Sequence, residues 1–214
     1  MDNKNHQREL EAVISEITLR SRVPRLLLHS CCGPCSSYVL EYLAEYFSIT
    51  VFYYNPNITP QKEYDKRVSE LRRLIELLPV KHPIHLEVGT YEPEKFFAMA
   101  RGLENEPEGG ARCLGCYRLR LNEAAKIAAA GNYDYFATTL TISPMKNARK
   151  LNTIGEELGR ICQVNHLPSD FKKKNGYKRS VELSAKYDLY RQDYCGCVFS
   201  EREQLKKKKA APGT

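Results

Sequence analysis

The distribution of cysteines constrains this chain more than any other feature of its sequence. Seven of its eight cysteines fall into three short clusters, Cys31-Cys32-Gly33-Pro34-Cys35, Cys113-Leu114-Gly115-Cys116 and Cys195-Gly196-Cys197. Thiolates at such short spacings are typical ligands of metal ions and iron–sulfur clusters. We therefore expect the fold to bring these turns to one place.

Size and composition predict one large domain. The chain has 214 residues, 42% of them hydrophobic, which is enough for a core without disulfides. We expect a single α/β domain over 1–214, with an N-terminal helix over 1–24, a metal-binding core over 25–200 and a basic tail over 201–214. The first residues lack a signal-peptide pattern, and no apolar run is long enough for a membrane span. We expect a cytoplasmic, non-membrane protein, in which clustered thiols usually serve metal or redox chemistry.

Strand and helix patterns alternate along the chain. Apolar runs predict strands at 25–30, 49–54, 84–88, 133–140 and 161–165. Helical spacing predicts helices at 2–20, 36–47, 60–78, 93–101, 113–130, 144–158 and 178–187. The alternation predicts a Rossmann-like parallel sheet of about five strands with flanking helices. The lone Cys162 falls in the fifth predicted strand and is interpreted as a core residue.

The cysteine turns have features that favour metal binding. The first cluster follows the first strand and opens a helix, so backbone N–H groups and the helix dipole should make Cys31, Cys32 and Cys35 ionise easily. The two-residue gap of the second cluster lets both sulfurs point at one ion. The glycine of the third cluster permits a turn that brings both sulfurs to one side.

Three interpretations of these thiols compete. A closed zinc site needs four cysteines and performs no chemistry. A thiol–disulfide enzyme would use one Cys-x-x-Cys pair and leave the other cysteines idle. An iron–sulfur cluster takes three or four thiolates and leaves the others for a second metal. The number of clustered thiols favours the third interpretation.

Other residues are candidates for substrate binding or catalysis. Asn55 and Asn57 follow the second strand, although loop asparagines are usually turn formers. Lys146 near a helix start is a candidate anion binder, and Arg112 precedes the second cysteine cluster. Asp193, two residues before the third cluster, could ligate iron, donate a proton or simply form a turn.

Basic residues make a polyanionic partner plausible. The formal net charge is +7, and lysine runs occur at Lys172–Lys174 and Lys206–Lys209. Such runs are often solvated surface, but together they favour RNA as a partner.

Five motifs in order resemble the QueH-type epoxyqueuosine reductases. They are LLLHSCCGPCS, FYYNPNITPQKEYDKR, ARCLGCYRLRL, TTLTISPMKN and YRQDYCGC, and they extend over about residues 25–200. The resemblance implies a sheet related to the adenine nucleotide α-hydrolase group, in which metal ligands replace the nucleotide-binding glycines.

The resemblance also implies a reaction and its cofactors. The epoxide of epoxyqueuosine in tRNA would be reduced to give queuosine, with a [4Fe-4S] cluster, a nearby mononuclear iron and an unidentified electron donor. The seven clustered cysteines would share the metals. Asp193 or Tyr194 would donate a proton, and Lys146 would position the substrate.

Two alternatives to this reaction remain. One is an iron–sulfur enzyme that inserts sulfur into tRNA, although such enzymes usually need ATP and the chain has no glycine-rich pyrophosphate loop. The other is a zinc-stabilised RNA-binding module without catalysis.

Overall fold

The fold is built on a five-stranded parallel sheet, in a computed structural model that describes residues 4–210. The strands are β1 (Arg25–His29), β2 (Ser48–Tyr53), β3 (Ile84–Val88), β4 (Tyr135–Thr138) and β5 (Asn165–His166). Their order across the sheet is β3-β2-β1-β4-β5, and each neighbouring pair is parallel. The predicted Rossmann-like α/β fold is therefore confirmed.

Helices cover both faces of the sheet. In the described residues they are α1 (His6–Leu19), α2 (Gly33–Leu43), α3 (Gln61–Leu77), α4 (Pro93–Ala100), α5 (Ala111–Ala130), α6 (Ala148–Cys162), α7 (Gly176–Lys186) and α8 (Val198–Ala210). Side chains alternate across β1: Leu26 and Leu28 pack with α1, α2 and α3, whereas Leu27 packs with α5 and α6. No helix among residues 4–210 combines the length and the apolar character needed to cross a membrane.

Helix boundaries differ from the sequence prediction where side chains cap them. Cys32 caps α2, so this helix begins at Gly33 rather than at residue 36. Asn147 accepts a hydrogen bond from Lys150 N (3.1 Å), so α6 begins at Ala148 rather than at residue 144.

The fifth strand was predicted too early and too long. Helix α6 continues to Cys162, and Gln163 ends it in a left-handed conformation. Cys162 is therefore the last residue of a helix and not a strand residue, although it does pack against the core on the α5 and α6 side of the sheet.

The basic tail is helical as far as it is described. Helix α8 begins after Cys197, which receives the first helical hydrogen bond from Glu201 N (3.0 Å). Residues 1–3 and 211–214, the ends of the predicted N-terminal helix and of the basic tail, lie outside the described residues.

Candidate metal centre and substrate cavity

Each cysteine cluster lies at the N-terminus of a helix, where a sulfur accepts a backbone hydrogen bond. Cys32 accepts from Cys35 N (3.4 Å) at α2, and Cys197 accepts from Ser200 N (3.4 Å) at α8. Cys113, in the first turn of α5, accepts from Gly109 N (3.2 Å). Backbone amides and helix dipoles therefore favour negative charge on all three clusters.

Cys31, Cys32 and Cys35 form a compact group, here called the cysteine triad. Their Sγ atoms all lie within 4.8 Å of one another, and those of Cys31 and Cys32 are 3.7 Å apart. Metal–sulfur bonds of about 2.3 Å in a tetrahedron place sulfurs about 3.8 Å apart. The triad therefore has the spacing and the donor chemistry of a metal site.

The triad thiols do not all ionise easily, contrary to the sequence prediction. Contact with the thiols of Cys32 and Cys35 lowers the pKa of Cys31 well below its ordinary value. The same contact with Cys31 raises the pKa of Cys32 to about 12 and raises that of Cys35 as well. Three touching thiols share one negative charge, because a second charge beside the first is unfavourable. A metal cation would remove this penalty.

Cys113, Cys116, Cys195 and Cys197 form a second group, here called the cysteine tetrad. They line one small cavity of about 20 Å³. Burial, helped by the nearby Cys195, raises the pKa of Cys116 to about 11 and that of Cys197 to about 12. Cys195 also lines a larger cavity of about 390 Å³ that the triad lines. The structure thus brings the three clusters to two cavities that share Cys195, and their convergence on one metal centre stays a prediction.

The turn at Gly196 requires glycine. Its φ of +110° lies in the region that side chains disfavour, and an added Cβ would lie 2.9 Å from Arg67 Nη1. Arg67 Nη1 donates to Cys195 O (3.1 Å), and Thr59 N donates to Gly196 O (3.0 Å). These bonds fix the third cluster against α3 and the loop after β2. The positive φ of Gly196 agrees with the turn that the glycine was expected to permit.

Two buried guanidinium groups lie beside the thiols. Arg120 donates to Asn55 Oδ1 (2.6 Å), to Cys116 Sγ (3.9 Å) and to neutral His29 Nε2 (3.3 Å), and within residues 4–210 it contacts no carboxylate. Arg67 pairs with a glutamate through Nε, but its buried Nη2 has no partner among those residues.

The charge of these groups favours thiolate beside them. Burial alone would lower the pKa of Arg120, but its electrostatic interaction with the Cys116 and Cys31 sulfurs raises it. A buried cation needs an anion nearby, and Cys31, whose pKa is lowered, is the thiol best able to supply it. The sequence did not indicate that either arginine is buried. For Arg67, the four-residue spacing from Glu63 fits an exposed ion pair on a helix equally well.

The large cavity brings three predicted site residues near the triad. Lys146, Asp193 and Tyr194 all line it. Burial would lower the pKa of Lys146, but the charges of Cys195, Tyr117 and Cys31 raise it, so the ammonium group keeps its proton. A cation here can bind a developing oxyanion or a phosphate.

Asp193 and Tyr194 differ in their protonation. Asp193 is exposed and forms an ion pair with Lys208, which lowers its pKa. Burial, with a contribution from the charge of Glu63, raises the pKa of Tyr194 to about 12. At neutral pH the first is a carboxylate and the second a protonated phenol.

The remaining predicted substrate-binding residues lie away from the large cavity. Asn55 uses both amide atoms within the protein, since Nδ2 donates to Ser30 O (2.8 Å) and Oδ1 accepts from Arg120. Arg112 and Asn57 line the small tetrad cavity. Arg112 also donates to the carbonyls of Leu103, Glu104 and Glu106, which holds the loop before α5 in place.

Known proteins resemble this chain over most of its length. The family model described as epoxyqueuosine reductase QueH matches residues 26–203. A protein of that name from Staphylococcus epidermidis is 43% identical over 204 residues, covering 94% of this chain and 86% of the relative. Relatives of the same name from Streptococcus pyogenes serotype M1 (41% identity; 94% and 79% covered) and Thermotoga maritima (32%; 85% and 93%) also match.

Proposed function

The chain belongs to the epoxyqueuosine reductase QueH family and is an oxidoreductase, and we propose that it reduces the epoxide of epoxyqueuosine in tRNA to give queuosine. The observation that carries this proposal is the position of the cysteine triad. Three thiols with metal-ligand spacing line the large cavity beside the protonated Lys146. The proposed reducing centre and a cation would thus border the same cavity, which is large enough for a nucleoside.

The seven clustered cysteines are the proposed ligands of a [4Fe-4S] cluster and a mononuclear iron. The triad and the tetrad supply three and four sulfurs, and Cys195 borders both cavities. When bound, these groups would supply single electrons and a Lewis acid for the epoxide oxygen. Buried Arg67 and Arg120 balance the negative charge that the thiolates bring.

Protons must reach the oxygen that leaves. Converting the epoxide to the alkene consumes two electrons and two protons, and the oxygen leaves as water. Lys146 and Tyr194 both hold a proton at neutral pH and both line the cavity. We assign Tyr194 as a proton donor and Lys146 as the group that stabilises negative charge on the oxygen. Asp193 is ionised, so we assign it to holding Lys208 in the last turn of the tail helix.

The large cavity fits one modified nucleoside rather than a folded RNA. Its volume of about 390 Å³ lies in the range of small-molecule pockets. The tRNA body would stay outside, where Arg191 and Lys207 at the rim offer cations for phosphates and Tyr177 offers a ring for base stacking. An electron donor is needed as a second partner.

The test is an anaerobic assay on tRNA that carries the epoxide. The purified protein, a chemical reductant and the tRNA are incubated, and the modified nucleoside is then analysed by mass spectrometry. We expect queuosine to form with iron-loaded wild-type protein and with the Cys162→Ala control, and not with Cys32→Ala. A protein that binds zinc but not iron, or whose product is a thiolated nucleoside, would contradict the proposal.

A further inference from the structure

Asn57 is a buried side chain whose amide has no partner. Its exposed fraction is 1%, and neither Nδ2 nor Oδ1 makes a hydrogen bond within the described residues. Buried amides are nearly always hydrogen-bonded, because an unpaired one costs free energy. Asn57 lines the same small cavity as the cysteine tetrad. A side chain with an unused donor and acceptor therefore lines the same cavity as the four tetrad cysteines.

The backbone around Asn57 is held firmly. Ile58 N donates to Asn55 O (3.1 Å), which closes a turn with Asn57 inside it. Thr59 N donates to Gly196 O (3.0 Å), and Tyr91 Oη donates to Ile58 O (3.0 Å). The loop is thus tied directly to the third cysteine cluster. This anchoring is what a group needs if it is to act on a sulfur with defined geometry.

The hydrogen bonds to the tetrad leave one sulfur without a donor. Three of the four sulfurs accept from Gly109 N (3.2 Å), Arg120 Nη1 (3.9 Å) and Ser200 N (3.4 Å). In residues 4–210 the sulfur of Cys195 accepts no such bond. The small cavity thus contains one sulfur without a donor and one amide donor without an acceptor.

We propose that Asn57 is a positioning residue of the metal centre, and that its Nδ2 donates a hydrogen bond to the metal-bound sulfur of Cys195. This inference rests on the metal centre of the proposed function. A donor to a ligand sulfur stabilises the reduced, more negative state and therefore raises the reduction potential. Because Cys195 borders both cavities, this hydrogen bond acts on the sulfur that connects the tetrad with the substrate side.

The reduction potential of the iron-loaded protein tests the proposal. Asn57→Asp keeps the size of the side chain but replaces the donor by an anionic oxygen, and Asn57→Leu removes both polar atoms. We expect both variants to bind iron and to show a lower midpoint potential in a redox titration followed by electron paramagnetic resonance. A tenfold loss of stabilisation of the reduced state corresponds to about 59 mV for one electron, and the shift should be larger for Asp.

A second readout detects the hydrogen bond itself. In D₂O the reduced wild-type centre should show one exchangeable deuteron coupling more than Asn57→Leu, because the other N–H donors to the tetrad sulfurs are kept in both. Asn152→Asp is the matched control, because Asn152 is also fully buried but its Nδ2 donates to Ala148 O (2.7 Å) and Ser169 O (2.8 Å). This control should lower thermal stability and leave the potential unchanged.

The outcomes separate this proposal from the proposed function. Unchanged potentials in both Asn57 variants would overturn the hydrogen bond while leaving the metal centre intact. Loss of iron from both variants, with full iron in Asn152→Asp, would show that Asn57 is needed to assemble the metal site rather than to set its potential, and would also overturn the proposal. Absence of iron from the wild-type protein would instead overturn the proposed function.

Discussion

The cysteine triad and the cysteine tetrad both bring thiol side chains together, but the chain does so in different ways. The triad comes from one turn of five residues, Cys31–Cys35, between β1 and α2. The tetrad joins the start of α5 to the start of α8, with β4, β5, α6 and α7 between them along the chain. The triad lines a cavity of about 390 Å³, whereas the tetrad lines one of about 20 Å³. One group is local and lines the proposed substrate cavity, and the other is assembled by the tertiary fold.

This difference indicates which of the two groups depends on the folding of the C-terminal segment. The triad lies between β1, the central strand of the sheet, and α2. The tetrad is held by a small apolar cluster in which Phe96, Ala100 and Phe199 pack around Cys116 and Cys197. Metal binding at the tetrad would therefore be coupled to docking of α8, whereas metal binding at the triad would not.

The largest expected effects come from removing one ligand of each group. Cys32→Ala and Cys116→Ala should each lower turnover at least about 100-fold, because even groups that only support metal ligands matter by 10- to 100-fold. Only Cys116→Ala should also increase hydrogen exchange in α8. Iron content, turnover and exchange mass spectrometry measure these effects.

The control for this pair is Cys162→Ala, which changes a thiol outside both groups. It should keep full iron content and full turnover. Equal hydrogen exchange in α8 of the Cys32 and Cys116 variants would contradict the distinction between the two groups. Full turnover in both variants would contradict the proposal that the two groups share a metal centre.

Lys146→Ala should have the next largest effect, and it should change turnover without changing the iron content. The cation lines the large cavity and not the tetrad cavity. Its loss should lower turnover about 100-fold, the lower range for a positioned charged or proton-transferring group, with iron content unchanged. The exposed Lys150 offers the control Lys150→Ala. Turnover equal to that of the control would show that Lys146 has no part in the reaction.

The lysines of α8 should affect RNA binding more than turnover. Lys206→Ala combined with Lys209→Ala should weaken tRNA binding about 10-fold. The slope of log affinity against log salt concentration should fall by about one to two, which corresponds to the loss of one or two phosphate contacts. Binding titrations at several salt concentrations measure both quantities. Lys81→Ala, at an exposed lysine before the start of β3, should have no effect. Unchanged affinity at low salt for the α8 variant would contradict this role.

The smallest expected effect concerns Glu70, which anchors the segment leading to the tetrad. Its hydrogen bond with Arg73 lowers its pKa, and it accepts from Tyr190 N (2.8 Å). The pKa of the Glu70 carboxyl is lower in the folded protein than in the unfolded chain. Its contribution to stability is therefore present when the pH is above the pKa that this carboxyl has in the unfolded chain. That contribution is lost as the pH falls through the pKa that it has in the folded protein.

Glu70→Gln should therefore lower the free energy of unfolding at neutral pH by about 1 kcal/mol, the value of one hydrogen bond. The difference from wild type should shrink in acid. Thermal melts at neutral and acidic pH measure it, and the exposed Glu76 offers the control Glu76→Gln. A difference that grows in acid would contradict the assignment.

The sequence allowed the sheet and the positions of the thiols to be predicted, because both depend on local patterns. Apolar runs such as Leu26–Leu28 identify buried strands, and a cysteine turn after such a strand must lie at the edge where ligands bind. The turn in the third cluster could be predicted in the same way, because Gly196 adopts a conformation that other residues disfavour.

The surroundings of the thiols could not be predicted in the same way. Asn55 and Asn57 occupy one short loop, yet Asn55 binds Arg120 whereas Asn57 lines the tetrad cavity. Which way each amide points is decided by packing against segments far along the chain. Helix α8 was missed because its lysine-rich sequence lacks an apolar stripe, and its first turn depends on Cys197.

Helix α8 begins next to Cys197 and ends in exposed lysines, so its length sets the distance between the two. At 1.5 Å per residue, Lys206 and Lys209 lie about 14–18 Å along the helix axis from Cys197. A phosphate bound by these lysines would be held at a fixed distance from the proposed metal centre. Inserting one helical turn would move the lysines outward by about 5 Å, and a different nucleotide of the proposed RNA substrate would then reach that centre.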